Sequence, residues 1–293
     1  MQKNPLVTVI CSCYNHENFV IESLNSVINQ DYKNIELIIV DDFSSDNSKK
    51  VIENWILNHP EIAFIANKKN LGITKSFNNA LKSAKGKYII DLAADDILMP
   101  NCVELQLKKF ENSSFKNLGI VYGNAELIAE NDDFISLYFD IETSKKIKTG
   151  NVYLSVLEGF QKICSVSAMA KKSVYEQLKG YDESLVYEDL DFWIRASRVF
   201  DFDFIDTVLV KKRILKNSLG NDFYKKNKAI NQSTFLILQK AIVLNKNKNE
   251  DLAILKRVHF EIVLSWKNRD FELFLKNIFL KIKLFWRMNF RKY

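Results

Sequence analysis

Two apolar, β-branched runs in this chain end abruptly at paired aspartates, and no other feature restricts its fold as much. Ile35-Glu36-Leu37-Ile38-Ile39-Val40 is followed by Asp41-Asp42-Phe43-Ser44-Ser45-Asp46, and Lys87-Tyr88-Ile89-Ile90-Asp91-Leu92 leads through Ala93-Ala94 to Asp95-Asp96. A continuous apolar run of this kind reads as a strand buried on both faces of a parallel sheet. In an open α/β sheet, ligands bind outside the carboxyl ends of the strands. Acidic pairs at two such ends suit a metal and the polar groups of a nucleotide.

The first hundred residues alternate between the two periodicities. Strands are expected at Leu6–Cys13, Glu36–Val40, Ile62–Ala66 and Lys87–Leu92. Helices are expected from about His16 to Asn29, capped by Asn15, then after Asp46, from Thr74 with Gly86 placed to end it, and from Pro100. Strand and helix alternating at this spacing imply βαβ units and a mostly parallel sheet flanked by helices. Leu118–Tyr122, Val166–Ala170 and Phe202–Val210 are further strands, with helices at Lys172–Leu178 and Asp189–Phe200; residues 123–150 read as irregular, with at most a hairpin. Beyond about residue 216 the pattern is helical. The expected organisation is a catalytic domain over 1–215, with a nucleotide-binding part over about 1–105 and an acceptor part over 106–215, and a helical extension over 216–293.

The net charge of +6 lies entirely within residues 251–293, which hold ten Lys/Arg against four acids. A neutral body with a basic tail does not fit a nucleic-acid binder. Cys11 and Cys13 sit two apart in a strand, where extended geometry disfavours a bridge, and no Cys/His pair has zinc spacing. A reducing compartment is expected. The first residues lead into a strand without a leader-like segment, and there is no uncharged apolar run long enough to span a bilayer. Gly-x-Gly, the P-loop and Gly-x-Ser-x-Gly are all missing, so a dinucleotide enzyme, a P-loop NTPase and a serine hydrolase are unsupported. A nucleotidyltransferase would need a phosphate loop that Cys11-Ser12-Cys13-Tyr14-Asn15 does not supply.

Taken together and in order, Tyr14-Asn15, Asp41-Asp42-Phe43-Ser44, Asn70-Leu71-Gly72 through Gly86-Lys87-Tyr88, Asp95-Asp96 and Glu188-Asp189 resemble the family 2 glycosyltransferases of GT-A (Rossmann-like) fold, over roughly residues 5–215. The resemblance implies that Ser12, Tyr14 and Asn15 line a base and ribose pocket. Asp42 would accept from a uracil-type N–H, and Lys75 would supply a charge near base or phosphate, since Phe77 stands where many relatives carry Arg. Asp96 would hold Mn2+ or Mg2+, with Asp95 on the metal, the ribose or the donor sugar. Asp189 would be the catalytic base, with Glu188 and Asp191 as neighbours able to replace it. Arg213, or else Lys212 or Lys216, would meet the diphosphate, because Leu215 occupies a position where relatives often carry His. Ala93 replaces another frequent acid; Asp91, two residues earlier, is expected to turn away.

Each element also has a structural reading: Tyr14-Asn15 as a turn and cap, Asp42 as a cap, Lys75 as an exposed helix lysine, and the acids at 188–191 as partners of a helix dipole. The segment 273–293 places Phe274, Leu275, Ile278, Phe279, Ile282, Phe285 and Trp286 on one arc, with Lys276, Lys283, Arg287 and Arg291 opposite. That is either an interfacial membrane helix or a helix docked on the body with its cations in water. The reading as a whole is an inverting, metal-dependent glycosyltransferase at the cytoplasmic face of a membrane. It would move sugar from a UDP-sugar to a glycan or lipid-linked glycan in bacterial surface polysaccharide synthesis. A non-catalytic nucleotide-sugar or partner-binding member of the same fold is the alternative.

Overall fold

A computed structural model describes residues 4–159, 161–216, 223, 225–226 and 228–290. The chain runs β1 (Val7–Cys13), α1 (Val20–Ile28), β2 (Ile35–Asp41), α2 (Ser48–Ile56), β3 (Ala63–Ala66), α3 (Ile73–Leu81), β4 (Tyr88–Ala93), β5 (Ile97–Leu98) and α4 (Cys102–Asn112). It continues as β6 (Leu118–Ile128), β7 (Phe134–Leu137), α5 (Ile141–Ser144), α6 (Tyr153–Glu158), β8 (Met169–Lys171), α7 (Lys172–Leu178), α8 (Asp189–Ser197) and β9 (Asp201–Arg213). Three long helices follow, α9 (Ala229–Leu244), α10 (Lys248–Lys267) and α11 (Phe271–Phe290).

These elements form two compact units. The sheet unit comprises Met1–Asn151, Ile163–Glu183 and Phe200–Leu215; the helical unit comprises Val152–Lys162, Ser184–Val199 and Lys216–Tyr293. Residues 106–215 are therefore divided between the units, with 152–162 and 184–199 grouping with the C-terminal helices.

In the sheet unit, nine strands run in the order β3-β2-β1-β4-β8-β6-β9-β5, with β7 beside β6. β3, β2, β1 and β4 are parallel, as the strand–helix alternation demands. β8 then joins β4 and β6 antiparallel to both. Val7, Val9, Ile10 and Cys11 of the central β1 have no exposed surface, which explains why the strand is apolar on both faces. Helices bury the expected stripes: Val20, Leu24 and Val27 on α1, Phe77 and Ala80 on α3, and Val103, Leu107 and Phe110 on α4.

Several expectations fail for identifiable reasons. β6 runs on to Ile128, past the Tyr122 end expected for it, because Gly123–Ile128 find partners in Ile205–Arg213 of β9. Gly86 does not end α3, which stops at Leu81. It allows the backbone to pass β1, since a Cβ there would lie 2.4 Å from the Thr8 nitrogen. Residues 165–167 form a 3-10 turn ahead of the strand. All four cysteines are reduced and buried in the sheet unit. Burial pushes the Cys13 thiol up to about 12 and that of Cys164 up to about 11.

The helical unit is held by buried ion pairs as well as apolar contacts. Asn247 caps α10 by accepting from the Glu250 amide at 3.0 Å, while its own amide nitrogen donates to Glu250 at 2.9 Å. Glu250 pairs with Arg198 at 2.7 Å. Asp251, fully buried, pairs with Arg287 of α11 at 2.7 Å. α10 and α11 form a hairpin: Arg269 takes a φ of 55°, the Asp270 amide donates to the Ser265 carbonyl, and Asp270 accepts from the Leu273 amide.

Candidate active site

The site candidates of the sheet unit cluster where β2, β1 and β4 end side by side. Register pairs Cys13 with Asp41 and Ser12 with Ala93. The Asp42 amide donates to the Cys13 carbonyl at 2.9 Å and the Ala94 amide to the Ser12 carbonyl at 3.0 Å, so both acidic turns hang from the end of β1. The Ser12 hydroxyl is buried with no hydrogen-bond partner among the described residues, and Tyr14 is exposed. Asn15 does not cap α1, which begins at Val20. It adopts a φ of 59°, and its side-chain oxygen accepts from the Ser45 amide at 2.7 Å, tying the β1 turn to the β2 turn.

Asp42 is buried and accepts 2.8 Å hydrogen bonds from the Asn67 side chain and from the Leu71 and Gly72 amides. It is a clamp on the 67–72 loop and not a helix cap; Asp46 meets the first amide of α2, at Ser48, at 2.9 Å. A carboxylate has about four acceptor positions, so Asp42 keeps roughly one on Oδ2 for a ligand N–H. Gly72 precedes α3 with a φ of 82°, which a side chain would strain. Lys75 is exposed in the first turn of α3.

Phe77 is fully buried, its ring 4.5 Å from that of Tyr181. The Tyr181 hydroxyl donates to Asp91 at 2.9 Å. Asp91 does not turn away from Ala93: the two are the partly exposed positions of β4, two residues apart, and strand alternation keeps them on one face. Burial raises the Asp91 carboxyl to about 7.

Asp95 and Asp96 form the turn between β4 and β5. Asp96 is buried and accepts from the Arg213 amide at 2.8 Å. Burial raises its carboxyl to about 7; Lys212 opposes that shift and the adjacent Asp95 adds to it. Asp95 lies 3.8 Å from His16. Two mutually repelling carboxylates are hard oxygen donors, and Mg2+ or Mn2+ is commonly held by one or two carboxylates with phosphate and water completing the shell. The pair therefore fits such an ion, although among the described residues no group of three or more His, Cys, Asp and Glu is placed to hold one by itself.

Antiparallel pairing of Ile97 with Lys211 sets Lys212 opposite Asp96, and alternation sends Lys212 and Arg213 to opposite faces of β9. Arg213 is fully engaged. It donates to the carbonyls of Asp95 (3.1 Å) and Ala129 (3.2 Å), pairs with Glu22 (2.8 Å) and Asp132, and lies over the Phe19 ring at 4.7 Å. That cage corrects the expectation that Arg213 meets a diphosphate. The Lys212 side chain makes no hydrogen bond or ion pair among the described residues. Burial works against its charge, but the carboxylates of Asp96 and Asp95 and the Cys164 thiol more than offset this, holding it above its ordinary value.

In the helical unit, Glu188 stands at the N-cap of α8, and Asp189 opens the helix half-buried, accepting from its neighbour's amide. Tyr187, buried beside them, shares a 2.9 Å hydrogen bond with Thr234. Asp191 cannot replace Asp189: it is buried and pairs with both Arg195 and Lys240.

Sequence reasoning missed Asn67 and Tyr181. Asn67 follows β3 as Asp42 follows β2, so a polar residue ending the third strand was its signal. Nothing local marked Tyr181, which lies ninety positions from Asp91.

Comparison with known proteins points the same way. The family model for glycosyl transferase family 2 matches residues 8–178. An uncharacterised glycosyltransferase of Methanocaldococcus jannaschii is 35% identical over 217 residues, covering 72% of this chain and 71% of that protein. One from Rickettsia bellii is 30% identical over 80% of this chain, which spans 34% of that longer protein. Among solved structures, S. aureus TarS in complex with UDP-GlcNAc superposes with a TM-score of 0.71 at 15% identity, covering 95% of this chain and 81% of that one. A mannosyltransferase from Pyrobaculum calidifontis in complex with GDP-Man and Mn2+ gives 0.63 at 15% identity, covering 100% and 89%.

Proposed function

We propose that this chain, which belongs to glycosyl transferase family 2 and has the GT-A fold, transfers sugar from a UDP-sugar to a glycan hydroxyl with inversion at the anomeric carbon. One observation carries the reading: Asp42, the Asp95-Asp96 turn and a buried Ser12 hydroxyl with no hydrogen-bond partner among the described residues stand at the carboxyl ends of three adjacent parallel strands. The UDP-GlcNAc bound by TarS and the GDP-Man and Mn2+ bound by the Pyrobaculum enzyme support the donor class.

The remaining acceptor position of Asp42 takes the uracil N–H, while Ser12, Tyr14 and Asn15 border the base and ribose and Lys75 sits at the rim. A divalent cation, Mn2+ or Mg2+, held by Asp96 and Asp95, would neutralise the leaving diphosphate. Lys212 supplies the protein's own positive charge to that group, the role Arg213 cannot fill. Asp189, or Glu188 beside it, removes the acceptor proton as the hydroxyl oxygen attacks opposite the departing diphosphate. The acceptor is a glycan or lipid-linked glycan of a bacterial surface polysaccharide, met at the inner face of the cytoplasmic membrane; the basic tail supports that placement.

Thermal shift across a set of nucleotide sugars, with and without Mn2+, followed by product analysis with glycan acceptors, tests the proposal. A UDP-sugar should stabilise the protein, and more so with Mn2+. Failure of every nucleotide sugar to shift the transition would sink the reading; binding without transfer or donor hydrolysis would favour the non-catalytic alternative.

A further inference from the structure

α11 is apolar on two sides. Leu273, Leu280 and Leu284 are buried in the helical unit, a stripe distinct from the aromatic arc expected from sequence. At 3.6 residues per turn, Leu275, Phe279, Ile282 and Trp286 face away from that stripe, and all four are exposed, Phe279 by 72%. Phe285 and Phe290 extend the same exposed side. On α10, Phe260, Val263 and Trp266 are exposed as well. The Trp266 ring lies 5.7 Å from Phe271 and 5.2 Å from Phe274, which joins the two helices into one apolar face.

A surface helix ordinarily has one apolar stripe, turned inward. A second, outward face rich in aromatics marks an interaction surface. Its charge selects the occupant. Residues 273–293 carry six cations and no acid. Arg287 is consumed by Asp251, and Lys276 by Glu272 and Gln232, so neither forms a free cationic stripe. Lys281 and Lys283 are exposed on α11 and Lys267 on α10, while Lys256 pairs with Glu158 at 2.7 Å. Arg291 and Lys292 lie outside the described residues. A second copy seated symmetrically on this face would bring like charges together. An anionic lipid surface satisfies both the rings and the lysines. No described helix is long and apolar enough to cross a membrane; α11, about 30 Å long, has the dimensions to lie along one.

We propose that the outer face of the α10–α11 hairpin seats on an anionic bilayer, with Phe279, Phe285 and Trp286 among the upper acyl chains and Lys281 and Lys283 at the lipid phosphates. This deepens the membrane placement proposed above. It is separable from the transfer reaction, whose proposed donor residues belong to the sheet unit.

Co-sedimentation of the full chain with vesicles of phosphatidylcholine alone, and of phosphatidylcholine mixed with phosphatidylglycerol, tests it, with UDP affinity measured alongside. Wild type should bind the anionic vesicles, less well at high salt, and leave the neutral ones. The Phe279→Asp/Trp286→Asp variant alters exposed side chains only, so it should stay folded, keep its UDP affinity and lose the vesicles. Lys281→Glu/Lys283→Glu should weaken binding by at least about fivefold per lysine. Unchanged vesicle binding by the aromatic variant would overturn the proposal. So would a wild-type dimer that this variant dissolves and that binds no vesicles. Vesicle binding by a protein that binds no UDP would uphold the face and sink the transfer reading.

Discussion

Asp189 and Asp191 lie two positions apart at the start of one helix and have opposite fates. Asp191 is buried between two cations, whereas Asp189 is half-buried beside Tyr187. Asp189→Asn should therefore leave donor affinity unchanged and lower turnover by ~10²–10⁴-fold. Asp191→Asn should instead lower stability by about 1–3 kcal/mol, the cost of weakening charged hydrogen bonds to Arg195 and Lys240, which keep access to water. Steady-state kinetics with chemical denaturation on both variants checks the split, and near-normal turnover of Asp189→Asn would transfer the base to Glu188. Lys212 and Arg213 divide in the same way. Lys212→Met should weaken UDP by ~10-fold or more and leave uridine unaffected, because only UDP carries the phosphates a charged hydrogen bond would reach. Titration calorimetry with the two ligands decides it. At this scale the sequence was informative about residue types at strand ends: Asp42, Asp95 and Asp96 stand out on inspection. It was silent about availability, because the groups that occupy Arg213, Glu22 and Asp132 among them, are far away in the chain.

At the scale of elements, the 67–72 loop depends on Asp42 as much as a ligand would. Its hydrogen bonds to the Leu71 and Gly72 amides hold the loop that enters α3. In Asp42→Ala these amides should lose protection from hydrogen exchange while the amides of β1 keep theirs; equal protection in both proteins would show that the loop is held by other contacts. The parallel strands were legible because each is a self-contained apolar run, and α4 because its stripe repeats at helical spacing. β6 beyond Tyr122 was not legible. Its Gly123-Asn124-Ala125 stretch has no strand character of its own and becomes a strand because β9 lies alongside. The inner stripe of α11 was missed for a related reason: a helix apolar on two sides does not say which side is turned in.

At the scale of the whole molecule, burial of carboxyl groups sets a pH dependence. Asp91 keeps its proton to about 7 in the folded protein, against an ordinary value of 3.8. Between those values the native state binds more protons than the unfolded chain, so its contribution to stability declines as pH rises through that window. Asp91→Asn should remove that part of the decline, seen as a flatter urea midpoint between about pH 4 and 7; midpoints that track wild type throughout would place the effect elsewhere. The four buried thiols have a different consequence. A thiol reacts as its thiolate, and each of these is withheld both by enclosure and by a raised pKa. All four lie in the sheet unit and none in the helical unit. A thiol-specific reagent added to the native protein therefore acts as a clock for one unit alone: its labelling rate counts the openings of that unit, at Cys11 and Cys13 on β1, at Cys164 near Lys212 and at Cys102 on α4, while motions of the helical unit pass unrecorded.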